Sequence, residues 1–401
     1  MTSAPTYPYD LWTDEVLVDP YSHYRALRDL GPVVWLEAHG VYALPRFDEA
    51  RAALASASTY CSGQGVAFND AANQAAGRSL IMTDGELHSH LRKVLARNLT
   101  PRAIRHMQDT VDSQADSVVR AVVAKGSFDA VADLAHALPT SVVPDLVGWP
   151  YDGRDHLVEW AGATFDFLGP MNDRAAAAVP SVVAMQQFAA QIAAEGNLLP
   201  GSVGAGVIEA AQRGELDPER VPPLIVGYLA PSLDTTISAI GSAVWLLANH
   251  PAHWEALRAD PSRIPNAFDE VLRFETPIRA FTRVATEDVT IGEVNVPEGS
   301  RLAVLYGSAN RDERRFEEPD RFDITRKNAC DQIGFGHGVH GCAGQGLARM
   351  EVHALLAAMI RRIETIELNG APKKGLNNLI NFFAELPVRV TPAAPGGLRA
   401  S

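Results

Sequence analysis

The chain has 401 residues, a formal net charge of −13 and an apolar fraction of 47%, which is the composition of a globular protein. The acidic balance argues against a nucleic-acid partner, and three cysteines in this length argue against a disulfide framework and fit a reducing cytoplasm. The N-terminus has no basic segment followed by an apolar core, and the longest apolar run, Ile237–Ala248, is shorter than the ~20 residues of a membrane span. We therefore expect a cytoplasmic protein without a membrane anchor.

The first predicted elements are a helix and a hairpin. A helical pattern follows Asp19-Pro20 and ends at Gly31, because proline favours the start of a helix and glycine its end. Two short apolar runs at 33–36 and 41–44 flank a turn and predict a hairpin. Most of residues 46–266 show helical periodicity. No repeat or linker divides the chain, so we predict one mainly α domain with a minor β portion over residues 1–401.

One predicted helix near residue 90 carries a local reversal of charge. His88 and Arg92 are four residues apart and so project from the same helix face. The segment from His88 to Met107 contains no acid and five basic residues, namely Arg92, Lys93, Arg97, Arg102 and Arg105. Two interpretations remain open, a solvated basic face or a docking surface for an acidic protein.

A long apolar helix is predicted to end near Asn249, and it contains polar residues in its middle. Asp234 and Thr235 are poor helix-interior residues because their side chains compete for backbone hydrogen bonds. They indicate either a solvent-facing polar patch or a functional site. Pro231 removes one helical hydrogen bond, and we expect it to kink the helix and free the carbonyl of Gly227.

A second β-rich patch follows the helical region. Glu270 and Arg273 share a helix face and can pair, although surface helices contain such pairs constantly. Short strands are predicted at 289–291, 294–296 and 302–306, and extended segments at 377–391.

The most informative segment surrounds Cys342. It reads Phe-Gly-His-Gly-Val-His-Gly-Cys-Ala-Gly over residues 335–344 and continues into a helical pattern up to about residue 363. Glycines allow tight backbone turns, and the positive end of a helix dipole favours a thiolate. A thiolate held in this way is a good axial ligand for haem iron. The spacing of the three cysteines does not fit a structural zinc site.

The pattern Phe-x-x-Gly-x-His-x-Cys-x-Gly resembles the haem-ligand loop of the cytochrome P450 family. The resemblance covers nearly the whole chain and implies one helix-dominated domain, haem b as cofactor and Cys342 as the metal ligand. It implies the following cofactor-binding residues: His88, Arg92, Arg283, Phe335, His340, Cys342 and Gly344. It also implies that the hydroxyl of Thr235 hydrogen-bonds the oxygen undergoing activation and that Asp234 helps relay protons to it.

The resemblance further implies a buried charge network on the thiolate side of the haem. In the family, an arginine of a segment similar to Pro319-Asp320-Arg321-Phe322 shares the helix glutamate with the helix arginine. We therefore expect Arg321 to share Glu270 with Arg273, as a structural network.

Within the family the chain looks closest to bacterial members that oxidise para-substituted benzoates or demethylate aryl ethers. The positions that the resemblance places at the substrate are Ser79, Met82, Phe165, Leu168, Ile278 and Phe281. The chain departs from these relatives at Val226 and Gly227, where they carry an arginine and a serine near the substrate carboxylate. Either Arg78 or Arg279 compensates, or the substrate is a neutral phenol or phenol ether.

The resemblance thus implies a cytoplasmic monooxygenase that oxidises a small aromatic compound with O2. The electrons would come from NAD(P)H through a reductase and an iron–sulfur ferredoxin, and O-demethylation or hydroxylation of a methoxy- or alkyl-substituted benzoate or phenol would follow. Two alternatives stay open: a peroxygenase of the same fold that uses hydrogen peroxide, and a non-catalytic haem-binding sensor. The Asp234–Thr235 pair speaks against both.

Overall fold

The computed structural model describes residues 3–394. Helices dominate this part of the chain. The α-helices are α1 (Asp14–Val18), α2 (Tyr21–Leu30), α3 (Phe47–Ala55), α4 (Asp70–Ala75), α5 (Gly85–Ala96), α6 (Pro101–Arg105), α7 (Gln108–Lys125), α8 (Pro139–Val147), α9 (Leu157–Leu168), α10 (Asp173–Glu195), α11 (Val203–Gln212), α12 (Val221–Asn249), α13 (Pro251–Ala259), α14 (Ile264–Phe274), α15 (Tyr306–Ala309) and α16 (Gln345–Arg362).

The strands are short and lie mostly towards the two ends of the chain. They are β1 (Thr6–Tyr7), β2 (Val34–Leu36), β3 (Val41–Leu44), β4 (Tyr60–Cys61), β5 (Ser127–Asp129), β6 (Ala280–Ala285), β7 (Val289–Ile291), β8 (Val294–Val296), β9 (Arg301–Leu305), β10 (Ile363–Leu368), β11 (Lys373–Lys374), β12 (Phe383–Glu385) and β13 (Pro387–Pro392). A six-stranded sheet has the order β1-β2-β3-β9-β6-β4, and a three-stranded sheet has the order β10-β13-β5. Strands β7 and β8 pair antiparallel, as do β11 and β12.

Helix α12 is the centre of the helical part. It packs against α8, α9, α10, α14 and α16, and most of its residues are buried on several faces. A helix that is apolar all round belongs in the core of a large protein. The prolines at Pro222 and Pro223 lie in its first turn, where no helical N–H bond is lost.

The hydrophobic core has two main parts. One cluster joins α12 to the helices around it, and the other fills the space between the six-stranded sheet and the N-terminal helices. The site described below lies at the border of these clusters, because its walls come from α12 on one side and from β6 and the Cys342 loop on the others.

The structure confirms most of the predicted elements. Helix α2, the β2–β3 hairpin and the three strands near residue 300 lie within a few residues of their expected bounds. Helix α12 ends at Asn249 as expected, but it continues through Pro231 as an α-helix. Sequence patterns gave no warning of the two-residue strands β1 and β4, which pair with distant parts of the chain.

The residues Pro218–Asn249 are long and apolar enough to cross a membrane by length and composition. However, 67% of the most apolar window is buried inside the fold. The segment is the core helix α12 with its preceding turn, and a core helix of this kind passes the same test.

Candidate active site

A largely apolar cavity of about 590 Å³ lies between α12 and the loop that contains Cys342. This volume is within the range of roughly 300–1,000 Å³ that is usual for ligand sites. Thr235 lines the cavity from α12 and Cys342 lines it from the loop, so the two segments that the sequence singled out share one space.

The backbone of the Cys342 loop is held by its own hydrogen bonds and by glycine. The Cys342 N–H donates to the carbonyl of Phe335 at 2.8 Å, which closes the loop. Gly338 has φ +69°, and a Cβ there would lie 2.4 Å from the carbonyl oxygen of Leu54. Both the left-handed conformation and the contact require glycine at this position.

The Cys342 sulfur lies at the start of α16. The backbone N–H groups of Gly344 and Gln345 are directed at it, as expected for a helix N-terminus. Burial raises the pKa of the Cys342 thiol, while the Gly344 N–H and the Arg92 guanidinium oppose that rise. Gly344 also lines the cavity, with its Cβ position 3.9 Å from the sulfur. Between residues 3 and 394 no group of three or more His, Cys, Asp or Glu side chains could hold a metal ion.

Four nitrogen-bearing side chains that the resemblance assigned to the cofactor converge at one side of the cavity. His88 and Arg92 come from α5, Arg283 from β6 and His340 from the loop. The His88 and His340 rings lie 4.1 Å apart. Arg92 donates to the carbonyl of Gly341 at 2.5 Å, and Arg283 donates to the carbonyl of Thr282 at 2.8 Å.

One of these side chains is free to donate a hydrogen bond to an anion. His88 is 3% exposed and its Nε2 has no hydrogen-bond partner among the described residues, which is costly for a buried polar atom. Nε2 of His340 instead lies 3.0 Å from Asp84 Oδ1, and burial lowers the pKa of His340 to about 4. The thiolate ligand, the apolar cavity and the unpaired His88 fit a haem, whose propionates need such donors.

Comparisons with known proteins agree with this geometry. The family model described as "Cytochrome P450" matches residues 207–380. Cytochrome p450 CYP199A2 of Rhodopseudomonas palustris is 39% identical to this chain, over 97% of the chain and 95% of its own length.

The chain belongs to the cytochrome P450 family. Cytochrome P450 107B1 of Saccharopolyspora erythraea is 31% identical over 78% of the chain and 77% of its own length. Among solved structures, cytochrome P450 CREJ in complex with (4-ethylphenyl) dihydrogen phosphate has a TM-score of 0.87 at 25% identity, covering 96% of this chain and 99% of that one. The expected fold, cofactor and enzyme class are thereby confirmed: the protein is a haem-thiolate monooxygenase that binds haem b.

The two polar residues of α12 in this cytochrome P450 point in different directions. Thr235 lines the cavity, and its hydroxyl donates to the carbonyl of Pro231 at 2.6 Å. The Asp234 carboxylate faces α9, since a Cβ at Gly162 would lie 3.3 Å from Asp234 Oδ2. Burial, reinforced by the nearby charge of Asp166, raises the pKa of Asp234 to about 8. Asp234 is thus a protonated acid at neutral pH, adjacent to the threonine but outside the cavity wall.

Most of the predicted substrate residues surround the cavity. Ser79, Phe165, Leu168, Ile278 and Phe281 line it, together with further apolar side chains from α10 and α12. Met82 is not among the residues that line the cavity; it packs in a small cluster against Leu168 and Phe281, two residues of the cavity wall. Its side chain is 4% exposed and contributes to the support of the wall rather than to its surface.

The two cations considered for a substrate carboxylate have different surroundings. Arg78 lines the cavity and forms an ion pair with Glu219. Arg279 is buried outside the cavity and donates to the carbonyl of Leu17 at 2.6 Å. Arg279 therefore cannot reach a ligand, and Arg78 could do so only in competition with Glu219.

The charge network on the thiolate side exists but has a different third member. Arg273 binds both carboxylate oxygens of Glu270, at 2.7 and 2.8 Å. The third member is Arg326, whose Nε donates to both Glu270 oxygens at 3.1 Å. The expectation for Arg321 is wrong, because its side chain is 59% exposed and pairs with Glu318. Only the carbonyl of Arg321 contributes, by accepting from both buried arginines.

Three acids near the cavity were missed by the sequence analysis. Asp84 holds His340 and accepts from the N–H of Gly63 at 2.6 Å. Glu351 of α16 lines the cavity, and both of its buried oxygens lack a partner among the described residues. Asp166 of α9 is the neighbour of Asp234. Local sequence patterns gave no signal for them, since only the packing of distant elements places them here.

Proposed function

We propose that this cytochrome P450 is a cytoplasmic enzyme that oxidises a small methoxy- or alkyl-substituted arene, either a benzoate or a phenol. The cavity beside Thr235 carries the proposal, because Phe165, Leu168, Ile278 and Phe281 give it an apolar and partly aromatic wall. Aromatic side chains bind flat rings through offset or edge-on contacts. The similar structure of cytochrome P450 CREJ, which holds (4-ethylphenyl) dihydrogen phosphate, a para-alkyl arene, supports a substrate of this class.

The residues around the cavity would hold the cofactor from two sides. Cys342 would bind the iron, and the cations and imidazoles at His88, Arg92, Arg283 and His340 would hold the propionates. When bound, haem b supplies the redox chemistry that places one atom of O2 in a C–H bond and releases the other as water. Phe335, at the start of the Cys342 loop, packs against Arg349, with 5.2 Å between its ring centre and the guanidinium.

The chain itself supplies protons and position. The Thr235 hydroxyl faces the cavity and can donate a hydrogen bond there once it releases the Pro231 carbonyl. Asp234 is the adjacent proton source, because its raised pKa keeps the carboxyl protonated near neutral pH. The substrate wall holds the reacting carbon in place, which lowers the entropic part of the barrier.

For a methoxy arene the proposed outcome is O-demethylation. Hydroxylation of the methyl group gives a hemiacetal, which collapses to the phenol and formaldehyde. For an alkyl arene the product is the corresponding alcohol. Both outcomes use the same positioning of a para or ortho substituent.

Recognition of the other end of the substrate is proposed to depend on the cavity mouth. The Ser79 hydroxyl donates to the carbonyl of Ala76 at 2.7 Å, and Arg78 pairs with Glu219. A benzoate would have to draw Arg78 away from Glu219, since a carboxylate buried without a partner is costly. A neutral phenol or phenol ether needs no such exchange.

Electrons are proposed to arrive from an iron–sulfur ferredoxin, reduced by an NAD(P)H-dependent reductase. In the structure Arg92 turns inward and Arg97 is paired with Glu215. Lys93, Arg102 and Arg105 remain exposed and have no ion pair among the described residues. These three cations suit the docking of an acidic carrier by electrostatic steering.

The proposal is tested with the haem-loaded enzyme, NADH, a reductase and a ferredoxin. We expect 4-methoxybenzoate or guaiacol to shift the Soret band and to yield a phenol with formaldehyde. Thr235→Ala should lower the product formed per NADH by roughly tenfold or more. Unchanged coupling in that variant would remove the role assigned to Thr235, and turnover with hydrogen peroxide alone would favour the peroxygenase.

The mouth residues separate the two substrate classes. If a benzoate is the substrate, Arg78→Gln should weaken its binding and Glu219→Gln should tighten it, with guaiacol affected by neither change. For the electron donor, Arg102→Gln with Arg105→Gln should slow reduction at low salt, whereas Arg389→Gln, an exposed arginine of β13, should not.

A further inference from the structure

The Asp234 side chain extends from α12 towards α9. Gly162 of α9 lies directly opposite, and a Cβ at this glycine would come within 3.3 Å of Asp234 Oδ2. Helix α9 packs closely on α12. The close approach is possible because Gly162 has no side chain, so the carboxyl of Asp234 lies in the interface of the two helices.

A second carboxyl lies on the same face of α9. Asp166 is four residues after Gly162, which places both positions one above the other. The N–H of Asn378 donates to Asp166 Oδ1 at 2.7 Å, and the Asn377 amide donates to the carbonyl of Gly162 at 2.9 Å. The loop at 377–378 therefore fixes both the Asp166 side chain and this turn of α9.

The interface provides no cation for the two acids. Within residues 3–394, neither Asp166 nor Asp234 forms an ion pair. The positive group that acts on Asp166 is Arg174 of α10, and this guanidinium is bound to Asp14, the Trp12 carbonyl and Asn378. The only charged group that acts on Asp234 is Asp166 itself.

We propose that Asp166 is a positioning residue for proton delivery. The carboxyls of Asp166 and Asp234 form a pair across the α9–α12 interface that holds one proton, and this proton resides on Asp234 beside Thr235. Each donation towards the cavity leaves Asp234 as a carboxylate, and one proton from solvent restores it. The step transfers one proton towards the cavity and takes up one proton from solvent, and no electron or other group is transferred.

The titration behaviour supports this geometry. Burial raises the pKa of Asp166 to about 6, and burial with the Asp166 charge raises that of Asp234 to about 8. Two neighbouring carboxyls without a cation cannot both ionise easily, so one keeps its proton near neutral pH. A donor with a pKa near the working pH is an efficient one. The inference depends on the monooxygenase activity of the family and not on the identity of the arene.

The experiment uses the haem-loaded enzyme and two independent readouts. The first is the infrared C=O band of protonated carboxyls, followed from pH 5 to pH 10 in a Glu351→Gln background that removes the other unpaired buried acid. We expect a band that persists at pH 7, disappears near pH 8 and is absent after Asp234→Asn. In Asp166→Asn the band should disappear at a pH lower by roughly one unit, because the like charge is gone.

The second readout is the pH dependence of product formed per NADH, with whichever arene the enzyme turns over. We expect product formation per NADH to fall off at high pH, and we call this fall the basic limb. The basic limb should move to lower pH in Asp166→Asn and return towards the wild-type position in Asp166→Glu. The matched control is Glu159→Gln, which removes an exposed carboxylate of the same helix and should move neither readout. Gly162→Ala should disturb coupling without a change of charge, because its Cβ displaces the Asp234 carboxyl.

The possible outcomes are distinct. If Asp166→Asn shifts neither the carboxyl band nor the basic limb, or shifts them no more than Glu159→Gln does, the pair is not coupled and the proposal is overturned. The infrared readout needs no substrate, so an enzyme that oxidises none of the tested arenes would contradict the proposed function while leaving the acid pair open to test.

Discussion

Buried acids occur in two regions of this molecule, and their surroundings are opposite. In the paired region, at the end of α14, Glu270 lies between Arg273 and Arg326, and Glu275 is bound by Arg311 and Lys374. In the unpaired region, around the cavity, Asp166, Asp234 and Glu351 lack an ion pair among the described residues.

The difference shows in the direction of the pKa shifts. Burial acts on Glu275 to raise its pKa, but Lys374 and Arg311 overcome it and hold the value at about 2. Burial acts without opposition on Glu351 and raises its pKa to about 8. Acids of the first region are therefore held as carboxylates by their cations, whereas acids of the second cost stability once they ionise, because no cation compensates their charge.

The largest effect is expected from breaking the paired region at Glu270. Glu270→Gln leaves two buried guanidiniums without their counter-charge, and it should lower the free energy of unfolding by about 3–5 kcal/mol. The measurement is urea unfolding at equal haem content. Arg321→Gln is the control, because its exposed side chain should contribute less than about 0.5 kcal/mol. A large decrease in the free energy of unfolding of that variant would mean that Arg321 belongs to the network.

Glu275 tests the same region through acid. Its folded pKa lies below the unfolded value of 4.5, so the stability that it contributes is present above pH 4.5 and disappears as the pH falls towards 2. Glu275→Gln should cost about 3 kcal/mol at pH 7 and progressively less on acidification. A cost that stays constant down to pH 3 in thermal melts would contradict this account.

Glu351 should show the opposite sign. Its folded pKa of about 8 exceeds the unfolded value of 4.5, so the protonated acid is tolerated at low pH and stability falls as the pH rises to about 8. Glu351→Gln should change little at pH 5 and should stabilise the protein by about 2 kcal/mol at pH 9. Calorimetry across this range is the check, and equal melting temperatures at pH 9 would count against an unpartnered acid.

The smallest effect is expected at Asp234, because part of this residue stays accessible to solvent although its carboxyl lies in the α9–α12 interface, and solvent screens part of its charge. Asp234→Asn should raise the free energy of unfolding by about 1 kcal/mol at pH 9, with no gain near pH 4. The same variant should lower product formation, so stability and activity change in opposite directions. A loss of stability at pH 9 would mean that Asp234 has a partner that compensates its charge.

Local patterns were sufficient for much of the fold and for the thiolate side of the site. The Cys342 loop could be read directly, because its glycines and the helix start are consecutive in sequence. The i, i+4 pair His88 and Arg92 was placed correctly for the same reason. Periodicity also located α12 and its polar pair.

Contacts between distant segments could not be obtained in this way. Arg326 rather than Arg321 reaches Glu270 because of how the chain turns after Asp323, and no spacing rule distinguishes the two arginines. Met82 and Arg279 were expected near the substrate, yet neither lines the cavity. The Asp166–Asp234 pair depends on the packing of α9 against α12, where Gly162 has no side chain and so leaves space for the Asp234 carboxyl.

Gly227 is a position at which substitutions can reduce the size of the cavity. It lines the cavity one turn before Pro231, and a Cβ there would meet no atom within 4 Å beyond its own helix. A series from alanine through valine to phenylalanine at this position would shorten the usable length of the chamber step by step, without disturbing the thiolate loop. Turnover of arenes of increasing length by this set of variants would measure how much of the cavity the substrate fills.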